Sequence, residues 1–204
     1  MEISLTVIIA LAFGVSAAVY LMGTHALYIV LASVFAAIAT EAAIQRFRNR
    51  AITVSDGSAA VTGVILALLL PQTVPLWIPM AGAVFAIAIV KQAFGGQGYN
   101  VFNPVVGGWI FLTMSWSRYM VSSPPLSPAF FLNPDAIKLA DASSAALILG
   151  GIYLIAKRSA DWQGPVGFVF TTFLVSMFYG QTYYSSGLFA LFTFFIITDP
   201  VTTS

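Results

Sequence analysis

The sequence predicts an all-α, polytopic membrane protein of about eight helices, arranged as an inverted repeat with discontinuous helices. Three observations carry this prediction. Hydrophobic residues fill 59% of 204 positions, whereas charged residues fill only 7%, against roughly a quarter in soluble domains. Mean hydropathy is +0.94, and apolar runs long enough to cross a bilayer as helices recur along the whole length. No hydrophilic block is large enough to fold by itself, so residues 1–204 are expected to form one transmembrane domain.

Helices are expected near 3–23, 25–45, 57–71, 75–94, 104–120, 143–157, 163–180 and 185–198. The first starts acidic, as MEISLTVIIA, and ends at GTH, a poor cleavage site, so it reads as a retained span and not a signal peptide. The second runs from His25 into the apolar AAIATEAAIQ. Pro71 closes the third and Pro75 opens the fourth, and the Gly- and Asn-rich KQAFGGQGYNVFNP separates the fourth from the fifth. The Pro-rich 122–134 loop precedes the sixth, Gly164-Pro165 opens the seventh, and Gly180 divides it from the eighth. Arg46, Arg48, Arg50, Lys91, Lys157 and Arg158 then fall on the side of the N-terminus, against Arg118 and Lys138 on the other. Positive loops stay cytoplasmic, so both termini are expected in the cytoplasm.

A pattern recurs within the chain. DGSAAVTGVILALLLP at 56–71 leads through a second helix to Asn103-Pro104, and DASSAALILGGIYLIA at 141–156 leads through a second helix to Asp199-Pro200. Each copy has an acidic residue, small hydroxylated residues, a helical pair and a capping dipeptide. Asp56 follows two spans and Asp141 five, which makes the repeat inverted: repeat one covers about 1–120, a connecting loop about 121–140, and an incomplete repeat two about 141–204. In such folds broken helices meet near the midplane, where irregular backbone survives only if buried or lining a cavity. Asn at an N-cap and Pro at the first helical position suit such a start, and Gly95, Gly96 and Gly98 let the chain turn sharply. A surface loop followed by an ordinary cap is the alternative.

Composition removes several chemistries. Without cysteine the chain has no disulfides, thiolate metal sites or cysteine-ligated iron–sulfur clusters, and His25 alone makes no bis-histidine haem. No Walker loop, dinucleotide fingerprint or catalytic triad is present, and eight scattered basic residues make no nucleic-acid patch. No catalytic or metal-ligating residues are expected. Catalysis by this chain alone is not expected.

The segments KQAFGGQGYNVFNP, DASSAALILGGIYLI and FFIITDPVT together resemble the RnfD/NqrB family, the D subunit of Rnf electron-transport complexes and the B subunit of the sodium-pumping NADH:quinone oxidoreductase. The resemblance runs from about residue 25 to the end. It implies a membrane electron carrier that binds flavin, passes electrons between membrane-associated subunits and, in several complexes, couples this to sodium or proton movement. Family members carry FMN on a threonine of an SGAT-type motif. Here the interval SRYMVSSPPLSPAFFLNPDAIKLA holds no threonine, and in DASSAAL Leu147 stands at its place. Covalent FMN is therefore not expected, and any flavin, FMN or riboflavin, is expected to be non-covalent. The chain also stops at TDPVTTS where the family continues, so the remainder is expected from another chain or to have been lost.

The candidate cofactor-binding residues are Asp56, Ser58, Thr62, Lys91, Gly95, Gly96, Asn100 and Asn103. Asp56 at a helix start offers amides to phosphate or hydroxyls, or simply caps the helix. Lys91 pairs with a flavin, or anchors a span at the membrane edge. Glu41, Asp141 and Asp199 are candidates for an ion pathway; for Glu41 the preferred expectation is snorkelling towards Arg46 or Arg48, and for the two aspartates capping. Trp77, Trp109, Trp116, Trp162 and Tyr183-Tyr184 suit the membrane interface.

Three functions stay open. The first is a redox subunit partnered by other membrane subunits of an energy-converting complex. The second is a structural or assembly subunit that keeps the fold without the chemistry, its small-residue faces packing against neighbours. The third is a small-solute or ion transporter.

Overall fold

The computed structural model describes residues 2–49, 54–96, 99, 102–120, 139–157, 162–179 and 187–197. Among these, every regular element is helical. α1 (Glu2–Met22) and α2 (Thr24–Phe47) are the long spans, each apolar enough to cross a bilayer. They turn about Gly23, whose φ of 83° lies in the region open to glycine.

The next helices are shorter. α3 is Ser58–Leu68, α4 is Trp77–Phe85, α5 is Pro104–Ser115, and α6 is the single turn Ser117–Met120. α7 (Leu139–Ala142) and α8 (Ser144–Ala156) follow, then α9 (Gln163–Tyr179) and α10 (Gly187–Leu191). At 1.5 Å per residue, α3, α5 and α8 reach only about 16–20 Å, short of the roughly 30 Å hydrocarbon core. They are shorter than the spans expected over 57–71, 104–120 and 143–157. The fourth and last expected helices change winding partway: α4 continues as a π-helix over Ala86–Gln92 and α10 as a π-helix over Phe192–Ile196. Both show the wider i to i+5 bond, Gly96 N–H to Lys91 O at 3.0 Å and Ile197 N–H to Phe192 O at 3.0 Å.

Packing follows the small residues. α2 lies along α3 and α4, α1 along α8, and α5 along α4. At Gly63 a Cβ would stand 2.8 Å from the Val34 Cα, so the α2 and α3 backbones touch there. Ser33 Oγ uses that closeness to donate to Gly63 O at 2.8 Å. Gly150 likewise lets α8 approach Ala10 of α1. Where α1 turns into α2, Gln72 Nε2 donates to Met22 O at 2.5 Å, and His25 Nε2 lies 3.3 Å from Val74 O. These bonds tie that turn to the Pro71–Pro75 break. Leu139 N–H donates to Leu70 O at 3.1 Å, joining the same break to the later half of the chain.

The start of α4 and the end of α5 carry an aromatic cluster. Trp77 meets Trp116 edge-on at 5.1 Å and Tyr119 at 6.0 Å, with the Arg118 guanidinium 4.6 Å from the Tyr119 ring centre. Aromatic and basic side chains at one end of a helical pair are the usual furniture of a membrane interface. Tyr183-Tyr184 lies outside the described residues.

Candidate functional site

The polar core begins on α2. Ser33, Ala37, Glu41 and Gln45 recur every fourth position and form one buried stripe facing α3 and α4. Glu41 is 1% exposed, about 10 Å along the axis from Arg48 at the helix end. A lone carboxylate at that depth is costly unless it is paired.

The pairing comes from the π-helix. Lys91 Nζ lies 2.7 Å from Glu41 Oε1 and donates to Ser58 Oγ at 2.5 Å. Gln92 Nε2 donates to the same Glu41 oxygen at 2.9 Å. Asp56 Oδ1 accepts from both the amide and the hydroxyl of Ser58, each at 2.8 Å. Arg48 Nη1 donates to Gln92 O at 2.7 Å, and Thr62 Oγ1 donates back to Ser58 O at 3.0 Å. Two acids and two bases from α2, the Val54–Asp56 turn and the π-helix are thus linked through Ser58 and Gln92. Their charges cancel. One polar atom is left over: Glu41 Oε2 is buried without a hydrogen-bond partner.

The structure brings Asp56, Ser58, Thr62, Lys91 and Glu41 together, with the first four joined to one another inside the bundle. One expectation is corrected. Glu41 does not snorkel to Arg46 or Arg48 but pairs with Lys91, because the stripe carrying it faces inward, and Arg48 is engaged with the Gln92 carbonyl. Lys91, at 3% exposure, is buried against Glu41 and Ser58.

Gly95 and Gly96 adopt φ of 126° and 105°, the turn predicted for them, and close the π-helix. Asn103 is the N-cap expected at Asn-Pro: its side chain accepts from Val105 N–H at 2.9 Å, with Pro104 at the first helical position. Its amide also reaches Ile196 O at 3.4 Å, touching the second π-helix. Asp141 lies within α7, and Ser143 occupies the cap position of α8. Asn100 and Asp199 lie outside the described residues.

Sequence reasoning missed Gln92, and it expected Arg48 to meet Glu41 and not the Gln92 carbonyl. The four-residue periodicity of Ser33, Glu41 and Gln45 was the available signal. Two apolar grooves lie away from these residues. One of about 360 Å³ is lined by Phe85, Phe102, Phe111 and Met114, and another of about 530 Å³ by Ile152, Pro165, Phe170 and Phe194. Among the described residues no three His, Asp or Glu side chains cluster as a metal site.

These features define a helical membrane protein with a charge-balanced network buried in its core. The family model for NQR2, RnfD and RnfE matches residues 1–204, and the chain belongs to that family. The sequence is 38% identical over 230 residues to the D subunit of a Na(+)-translocating ferredoxin:NAD(+) oxidoreductase complex from Acetobacterium woodii, covering 96% of this chain and 72% of the relative. It is 36% identical over 194 residues to the D subunit of an ion-translocating oxidoreductase complex from Methanosarcina acetivorans, covering 92% and 67%. The D subunit of a proton-translocating ferredoxin:NAD(+) oxidoreductase complex from Clostridium ljungdahlii is 30% identical over 229 residues, covering 90% and 69%.

Proposed function

We propose that this chain serves as the D-type membrane subunit of an ion-translocating electron-transport complex, alongside other membrane subunits, and that the Glu41–Lys91 network stands on its ion path. The reading rests on one observation: an ion pair buried within the helical core with a carboxylate oxygen left unpartnered. Ionisable groups inside a membrane mark ion or proton routes more often than they serve packing. The names of the relatives, which translocate sodium or protons, point the same way. The proposal places both termini in the cytoplasm.

A flavin enters this reading only as a non-covalent group. The bonds within the Asp56–Ser58–Thr62–Lys91 cluster argue against a flavin there, because Ser58 Oγ accepts from Lys91 and donates to Asp56, and neither of the two apolar grooves described is lined by these residues. That self-satisfied cluster also favours a second reading, a structural subunit without redox chemistry.

The test is an absorption spectrum of the complex purified in mild detergent, before and after acid precipitation, with the intact mass of this chain. Acid-released yellow colour and an unmodified mass support the flavin subunit. A mass increase matching FMN refutes non-covalent binding, and absence of any flavin in the intact complex leaves the structural subunit.

A further inference from the structure

Lys91 reaches Glu41 only because residues 86–92 wind as a π-helix. A π-helix accommodates one extra residue in its turn, and runs longer than a single turn are rare. In an α-helix continuing from α4, each residue beyond Phe85 would progressively advance, and by Lys91 the register would differ by about one position, or about 100° around the axis. Val90 would then face Glu41. Lys91 would turn away towards the end of the helix, where its long stem lets the ammonium reach the interface.

We infer that residues 86–92 are a register switch: the π form holds Lys91 on Glu41, and the α form withdraws Lys91 and surrenders the carboxylate to a monovalent cation. Four observations converge on this segment. Glu41 already has one oxygen unpartnered, so a cation meets an open ligand without first breaking every bond. The segment ends in a turn built on Gly95 and Gly96, whose positive φ values side chains resist and glycine can leave at little steric cost. Arg48, from the end of α2, bonds the Gln92 carbonyl at 2.7 Å and acts as a latch on the wider winding. A second π-helix stands at Phe192–Ile196, and Asn103 bonds its Ile196 carbonyl, so the cap of α5 joins that segment to the helix packed against the first.

The energetics make the exchange obligatory. With Lys91 withdrawn and no cation present, Glu41 is a buried unpaired charge, which the low-dielectric interior penalises heavily. With both present, two cations compete for one carboxylate. Either Lys91 or the mobile ion neutralises Glu41, and binding of one is linked to departure of the other.

This inference rests on the reading of Glu41 as an ion-path residue, and the experiment separates the two. The complex is reconstituted in sealed vesicles, and radiosodium uptake and the quenching of an internal pH dye are both followed per electron passed from ferredoxin to NAD+. Deleting Ile89, the half-exposed member of the segment, converts it to an α-helix while keeping Lys91 against Glu41. The expected result is an assembled complex that transfers electrons but moves at least tenfold fewer ions per electron. If the deletion variant moves ions at the normal ratio while Glu41→Gln does not, the switch is wrong and the ion path stands. If Glu41→Gln itself moves ions at the normal ratio, the ion path is wrong and the switch falls with it.

A second measurement holds even if the deletion prevents assembly. The chain has no cysteine, so one introduced cysteine reports the register without background from this chain. A nitroxide on Ile89→Cys, which leaves Glu41 and Lys91 in place, sits at a half-exposed position of the segment and should change mobility between the resting complex and turnover as the winding rotates it. The same mobility in both states would overturn the switch.

Discussion

Replacing Lys91 with Met gives the sharpest test of the buried network. Met keeps much of the length and the apolar stem but removes the ammonium that lies 2.7 Å from Glu41 and 2.5 Å from Ser58. Glu41 then remains 1% exposed, with Oε2 unpartnered and Gln92 Nε2 its remaining side-chain donor. Breaking a buried pair on one side costs about 3–5 kcal/mol. For a chain of this size each kcal/mol lowers the melting temperature by about 2–4 °C, so a fall of about 6–20 °C is expected. The double variant Glu41→Gln with Lys91→Met removes both charges and should recover most of that loss. The assay is thermal aggregation of the complex in mild detergent, with the fraction of this chain still in solution read by size exclusion. If Lys91→Met melts within about 2 °C of the parent, or the double variant melts no higher than the single, then Glu41 is not held by Lys91 and the network is misread.

Other substitutions address the fold around the site. Asn103→Ala removes the cap on Val105 and the bond to Ile196 O, and should destabilise by about 1 kcal/mol. Asn103→Asp keeps the cap but lacks the amide donor, so proteolysis near the second π-helix should rise in both variants if that bond matters, and only in Ala if it does not. Gly63→Val forces a side chain against the Val34 backbone and should cost at least about 1–3 kcal/mol, read as loss of folded chain from detergent extracts. Gly96→Ala puts a side chain at a φ of 105° and should weaken the turn by about 1–3 kcal/mol, seen as faster amide exchange over residues 92–96.

Much of the architecture was legible in the sequence because it depends on local chemistry. A continuous run of apolar residues specifies a membrane helix regardless of its neighbours, since unsatisfied backbone is intolerable in hydrocarbon. Gly23, the Pro71–Pro75 break, Gly95-Gly96 and Asn103-Pro104 all punctuate the chain where their own conformational limits require. The family resemblance, too, lay in contiguous motifs and is matched along all of residues 1–204.

The site was only half visible. Lys91 and Glu41 were each singled out, but about fifty positions of chain separate them, and nothing local states that α2 presents Glu41 inward to a residue beyond the Pro-rich break. The winding change was invisible for a related reason. AIAIVKQ has no residue that demands a π-helix, so its register is decided by what surrounds it: the Arg48 donor, the Glu41 carboxylate and the glycines that follow. The sequence alone thus determined that this is a helical membrane protein, where its helices break and which family it belongs to, through hydrophobic length and backbone constraint. Only the tertiary structure decided which charges meet, because in a low-dielectric core the partner of a buried ion is set by which helix faces pack together.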